Sequence, residues 1–152
     1  MMSFQLLLSA VFIGCKNTIP ESGIYTIERS NFQNTCGEFW GSPNAPGFPE
    51  TGFNLDVDEQ SSTVTVDEYW ILDIQDNTTS LTEEYGEMTH PDNYTISVNQ
   101  EWYFEWSSPK MASGYIGLFV LCDGNCPNSE PSIPADVLPC SVSWDYLLEK
   151  LE

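Results

Sequence analysis

The chain has 152 residues, 41% hydrophobic and 13% aromatic, enough apolar material for the core of one domain and too much for a disordered segment. Four Lys and Arg stand against 23 Asp and Glu, a formal net charge of -19. A surface so negative repels phosphate backbones over the ~8–10 Å Debye length of ordinary salt, so nucleic acid is a poor partner, and a solvated surface explains the acidity more simply than recruitment of divalent cations or basic proteins.

From Phe4 to Gly14 the chain is apolar apart from Gln5 and Ser9. This run is too short to cross a bilayer as a helix and reads as the apolar region of a secretory signal over residues 1–14. Its end, "FIGC", resembles the lipobox of bacterial lipoproteins, in which a small residue precedes a cysteine that becomes the lipidated mature amino terminus. The resemblance implies lipidation of Cys15, an address in the bacterial cell envelope at the outer membrane or cell surface, and a membrane partner reached through the lipid anchor. "KNTIPES" then reads as a polar tether within residues 15–22; from Lys16 to Ser22 it would extend at most ~25 Å at ~3.3–3.6 Å per residue. A single folded domain is expected over residues 23–152.

Along that domain apolar and polar residues alternate at the period of half-buried strands. "GIYTIERS" opens it with Tyr25 and Ile27 on one side, and "GSPNAPGFPE" is a proline- and glycine-rich loop. In "FNLDVDEQSSTVTV" a turn over roughly Glu59 to Ser62 sets Val57 opposite Val64 and Leu55 opposite Val66, with Asp56 and Asp58 opposite Thr65 and Thr63. "YWILDI" continues as strand to about Gln75, "QDNTT" turns it, and "SLTEEYGEM" returns. After the break at "HPDN", Tyr94, Ile96 and Val98 share one side, a turn is expected near Asn99 and Gln100, and Trp102, Phe104 and Trp106 follow on a second strand. "GYIGLFVLC" is apolar on both faces and reads as a fully buried strand with glycines at crowded points. "CSVSWDYLLEKLE" closes the chain as a strand finishing in a short helical turn. About eight short strands and no long amphipathic helix predict an all-β fold: an antiparallel meander closed into an up-and-down, lipocalin-like barrel, with a two-sheet sandwich as the alternative.

The five cysteines are an odd number for an exported protein. With Cys15 given to lipid, Cys36, Cys122, Cys126 and Cys140 form the even set that two disulfides require. Three pairings are open to them; the Asp-Gly turn in "CDGNC" favours Cys122 with Cys126, leaving Cys36 for Cys140. Antiparallel pairing of first and last strands would bring that second pair together. A zinc site lacks a second close pair, and the lone histidine, His90, is distant in sequence. The tail "LCDGNCPNSEPSIPADVLPCSVSW" is similar to the end of small uncharacterised cysteine-containing lipoproteins of myxobacteria-like bacteria, matching at Cys122, Gly124, Cys126, Pro139 and Cys140; this resemblance implies location and disulfides and no activity.

Trp40, Trp70, Trp102, Trp106 and Trp144 are many tryptophans for this length. Core filling explains most of them, while Trp102, Trp106 and Trp70 are the candidates to line a barrel mouth for a small apolar or glycan ligand. Asp56, Asp58, Glu59, Asp67 and Glu68 could gather calcium, but lack the spacing of an EF-hand loop and serve equally as the charged edge of a hairpin. The chain has no G-x-S-x-G, no H-E-x-x-H and no glycine-rich phosphate loop, so no catalytic residue, metal or cofactor is assigned. The expectation is a binding or structural surface module, with a passive protein-interaction module or a carboxylate-dependent secreted hydrolase as alternatives.

Overall fold

The computed structural model describes residues 18–37, 48–126 and 138–152. The proposed signal, Cys15 and Trp40 lie outside the described residues. Eight strands follow one another: β1 (Gly23–Asn34), β2 (Phe53–Asp58), β3 (Thr63–Val66), β4 (Trp70–Gln75), β5 (Thr78–His90), β6 (Tyr94–Ser108), β7 (Met111–Gly124) and β8 (Cys140–Lys150). Each pairs antiparallel with the next and β8 returns to β1, so the meander closes into a barrel and not a sandwich. Both disulfides form as expected, Cys36–Cys140 across the β1–β8 seam and Cys122–Cys126 at the end of β7.

Alternation decides which residues fill the interior. Tyr94, Ile96, Gln100, Trp102, Phe104 and Trp106 of β6 are buried at even positions, as are Ala112, Ile116, Leu118 and Val120 of β7 and Val142, Tyr146 and Leu148 of β8. The β2–β3 hairpin has the expected register, Leu55 opposite Val66 and Val57 opposite Val64. Asp58 Oδ1 accepts the backbone N–H groups of Gln60 and Ser61 and so makes that turn.

Several expectations are corrected. β6 runs unbroken through Asn99 and Gln100, because Gln100 falls on the inward phase and is wholly buried. The strand does not continue from Val66 into "YWILDI": Asp67 and Glu68 both take positive φ, 48° and 67°, and the Tyr69 N–H bonds to Val66 O, forming a tight turn before β4. β7 is not covered on both faces, since outward-facing Leu121 is exposed. The carboxy-terminal segment stays in strand to Lys150 instead of ending in a helical turn.

The strands differ in length, and this shapes the two ends. β2 meets β1 only over Gly23–Tyr25, and β4 meets β5 only over Thr78–Ser80. Thus the full ring of eight closes one end, where the described chain begins and ends and where the β2–β3, β4–β5 and β6–β7 turns lie. At the other end β5, β6, β7, β8 and β1 rise as a five-stranded wall, and among the described residues the edges of β1 beyond Tyr25 and of β5 beyond Ser80 carry no further strand.

Candidate functional site

The interior divides along its axis. In the closed half, the space among Leu55, Val64, Val66, Leu72 and Leu148 is too small for a water molecule. Trp106 belongs here: it is buried, its ring meets Tyr25 edge-on at 5.6 Å, and its indole N–H donates to Thr79 Oγ1 at 3.1 Å. A buried indole with its one donor satisfied is a finished core residue.

Further up the barrel, Leu81, Trp102, Ile116 and Trp144 are successive cross-strand partners on β5 to β8, and together they form one row of the wall. Trp102 is fully buried, meets the Trp70 ring at 4.9 Å with a tilt of 33° and lies 6.2 Å from Phe53, yet its Nε1–H has no hydrogen-bond partner. Leaving a buried donor unmade costs roughly 1–3 kcal/mol. Trp70, half-buried at the start of β4, carries the indole stack to the level where the short strands stop.

Across the barrel the chain's sole arginine joins this surface. Arg29 pairs with Tyr146 on β8, on the inward phase of β1 with Tyr25 and Ile27. Its guanidinium lies over the Trp144 ring at 4.9 Å and 3.6 Å from Glu50, while its Nη1 is buried with no hydrogen-bond partner. A bulge at Asn31, φ 50°, shifts the phase of β1 so that Phe32 also turns inward and meets Trp144 at 4.8 Å. Burial pushes the Tyr146 hydroxyl above the usual tyrosine range, and Arg29 beside it holds that rise back. The hydroxyl donates to Pro49 O at 3.3 Å, which brings the segment before β2 against this row.

Gly114 sits between Phe104 and Tyr146 in the row below Trp102. A Cβ there would collide with Tyr103 O, so only glycine lets β6 and β7 approach this closely.

No protein-family model, curated protein or solved structure matches this chain. Of the three tryptophans expected at a mouth, the structure brings Trp102 and Trp70 together and places Trp106 in the filled core. Arg29, Phe32 and Trp144 escape sequence reading as a group, because the bulge breaks the alternation that would have joined them. The available signal was a single arginine two residues after Ile27 and four after Tyr25 in a chain of net charge -19. The acidic turn residues have structural work: Asp67 Oδ1 accepts the Asn54 N–H, and no cluster of metal-ligating side chains occurs among the described residues.

Proposed function

We propose that the protein is an acidic lipoprotein of the bacterial cell envelope, anchored through Cys15, whose barrel is a binding module for one small ligand. The ligand stacks on the half-buried indole of Trp70, behind which the Trp102 indole lies buried, and offers acceptor oxygens, as a sugar or a carboxylate-tipped apolar molecule does. The observation that carries this reading is the contrast between two neighbouring tryptophans: the Trp106 N–H is satisfied, and the equally buried Trp102 N–H is not. Arg29 Nη1 supplies a second, charged donor inside the barrel.

Tryptophan fluorescence of the purified protein, titrated with soluble oligosaccharides and with medium-chain fatty acids, tests the proposal. A saturable change that Trp70→Ala weakens at least tenfold is expected from one of the two series. Flat titrations with both would sink it, and would favour the passive interaction module, which has its own support in a closed half too tightly filled to admit water. Carboxylate-based hydrolysis draws no support from Glu21 and Asp58, because hydrogen bonds from Lys150 and from Ser61, respectively, hold both carboxyls below their ordinary range and so ionised.

A further inference from the structure

In a chain of net charge -19 the sole arginine stands on the inward phase of its strand. The lysines of the described residues lie elsewhere, at the closed end: Lys110 in the β6–β7 turn, and Lys150 at the end of β8 with its Nζ 2.9 Å from Glu21 Oε2. Arg29 itself is incompletely matched. Glu50 Oε1 is 3.6 Å from its Nη2, beyond the ~2.7–2.9 Å of a charge-assisted hydrogen bond, and the Glu50 side chain is 53% exposed where that of Arg29 is 19% exposed. The Trp144 ring attracts the cation but offers its N–H groups no lone pair. Nη1 is buried without a hydrogen-bond partner, a condition that costs more for a charged group than for a neutral one.

The strand that carries Arg29 borders an opening in the side of the barrel. β2 leaves β1 after Tyr25 and β4 leaves β5 after Ser80, so among the described residues the β1 edge at Arg29 and the β5 edge at Leu81 bound one gap, with Trp70 at the start of β4 between them. Phe32 and Trp144 on the first side and Trp70 and Leu81 on the second are partly buried and pack against the core, so both margins of the gap are apolar. Glu50 lies on the segment that enters β2, and the Tyr146 hydroxyl holds its neighbour Pro49 by the carbonyl at 3.3 Å, so the Glu50 carboxylate meets Arg29 at this gap.

We infer that the ligand is a monocarboxylate with an apolar body, whose carboxylate takes the place of Glu50 on Arg29 while the body lies against Trp70. This rests on the binding-module reading and narrows it to one of its two ligand classes. A carboxylate presents two coplanar oxygens to the guanidinium fork, so one can bond Nη2 at full strength and the other can reach Nη1, which Glu50 leaves without a partner. The exchange replaces one negative charge by another, and Glu50 moves into solvent that its side chain already faces. A neutral sugar in the same place would displace Glu50 without replacing its charge, leaving the guanidinium covered and uncompensated. A phosphate ester would bring about two negative charges to a single cation in a chain already strongly negative.

Equilibrium dialysis of the full chain at neutral pH against octanoate, and separately against octanamide, which has the same length and no charge, tests the inference. Octanoate is expected to bind at one site and octanamide at least tenfold more weakly, a comparison that needs no variant. Arg29→Gln should weaken octanoate at least tenfold, with Arg29→Lys, which keeps the charge and loses the fork, falling between. Glu50→Gln removes the internal competitor and should tighten octanoate at least threefold, the opposite sign to that of a residue that merely supports the fold. Equal binding of octanoate and octanamide, unchanged octanoate binding in Arg29→Gln, or binding of soluble oligosaccharides alone overturns the carboxylate assignment and leaves the binding module standing. Weaker octanoate binding in Glu50→Gln overturns the exchange at Arg29. Failure of octanoate, octanamide and oligosaccharides alike to bind overturns the inference and the binding module together.

Discussion

Replacing Cys36 and Cys140 by alanine removes a cross-link between residues 104 apart in sequence. In the chain-entropy treatment, a loop of that length lowers the entropy of the unfolded chain by ~16 cal/mol/K, which contributes ~4.7 kcal/mol near room temperature. The Cys122–Cys126 bridge spans a separation of 4 and contributes ~1.9 kcal/mol by the same relation. The native seam does not depend on the long bridge: β1 and β8 pair from Tyr25 to Asn34, and beyond the strand the Thr35 N–H donates to Ser141 O at 2.9 Å. The effect therefore resides in the unfolded state, with a small added cost because both sulfurs are buried. For a domain whose total stability is about 5–15 kcal/mol, losing the long bridge leaves little margin. Urea denaturation followed by tryptophan fluorescence should show Cys36→Ala/Cys140→Ala less stable than Cys122→Ala/Cys126→Ala by ~3 kcal/mol, with a steeper denaturant slope because the untied chain exposes more surface. Equal losses in the two double variants, with unchanged slopes, would refute the reasoning.

Gly114→Ala is expected to lower stability by at least ~1–3 kcal/mol through the collision with Tyr103 O, while Gly86→Ala, where a Cβ meets nothing within 4 Å, stays within ~0.5 kcal/mol of the parent; urea midpoints compare the two. Thr79→Val removes the acceptor of the Trp106 N–H and should lose ~1–3 kcal/mol in the same assay, with most of it regained in Thr79→Ser. Burial pushes the Tyr25 and Tyr115 hydroxyls up to about 12, with Glu101 adding to the rise at Tyr115. The neutral phenols are favoured in the fold, so their contribution is complete below the ordinary tyrosine value of ~10 and is lost as pH climbs through the folded value near 12. Thermal melts should accordingly hold level, as far as these groups are concerned, up to pH ~10 and fall above it; a loss centred well below that pH would contradict the assignment to these tyrosines.

Strand alternation, the β2–β3 register and the two disulfides were legible in the linear chain because each rests on local period, on a short turn or on an even count of sulfurs. Closure into a barrel follows from antiparallel pairing of the first and last strands. A polar residue imitates a turn in one place: Gln100 looks like a hairpin tip in sequence and is instead an inward side chain of a continuous strand. No local pattern distinguishes Trp102 from Trp106, since both occupy the same phase of β6. Their difference lies in whether an acceptor faces the indole N–H, and for Trp106 that acceptor is Thr79, 27 residues away on another strand. The docking of Glu21 on Pro109 and the approach of Arg29 to Trp144 are likewise set by chain separations that local periodicity does not encode. Period-2 burial specifies which face of a strand is dry; which side chain meets which across the barrel depends on shear, bulges and strand length, and these emerge only when the ring closes.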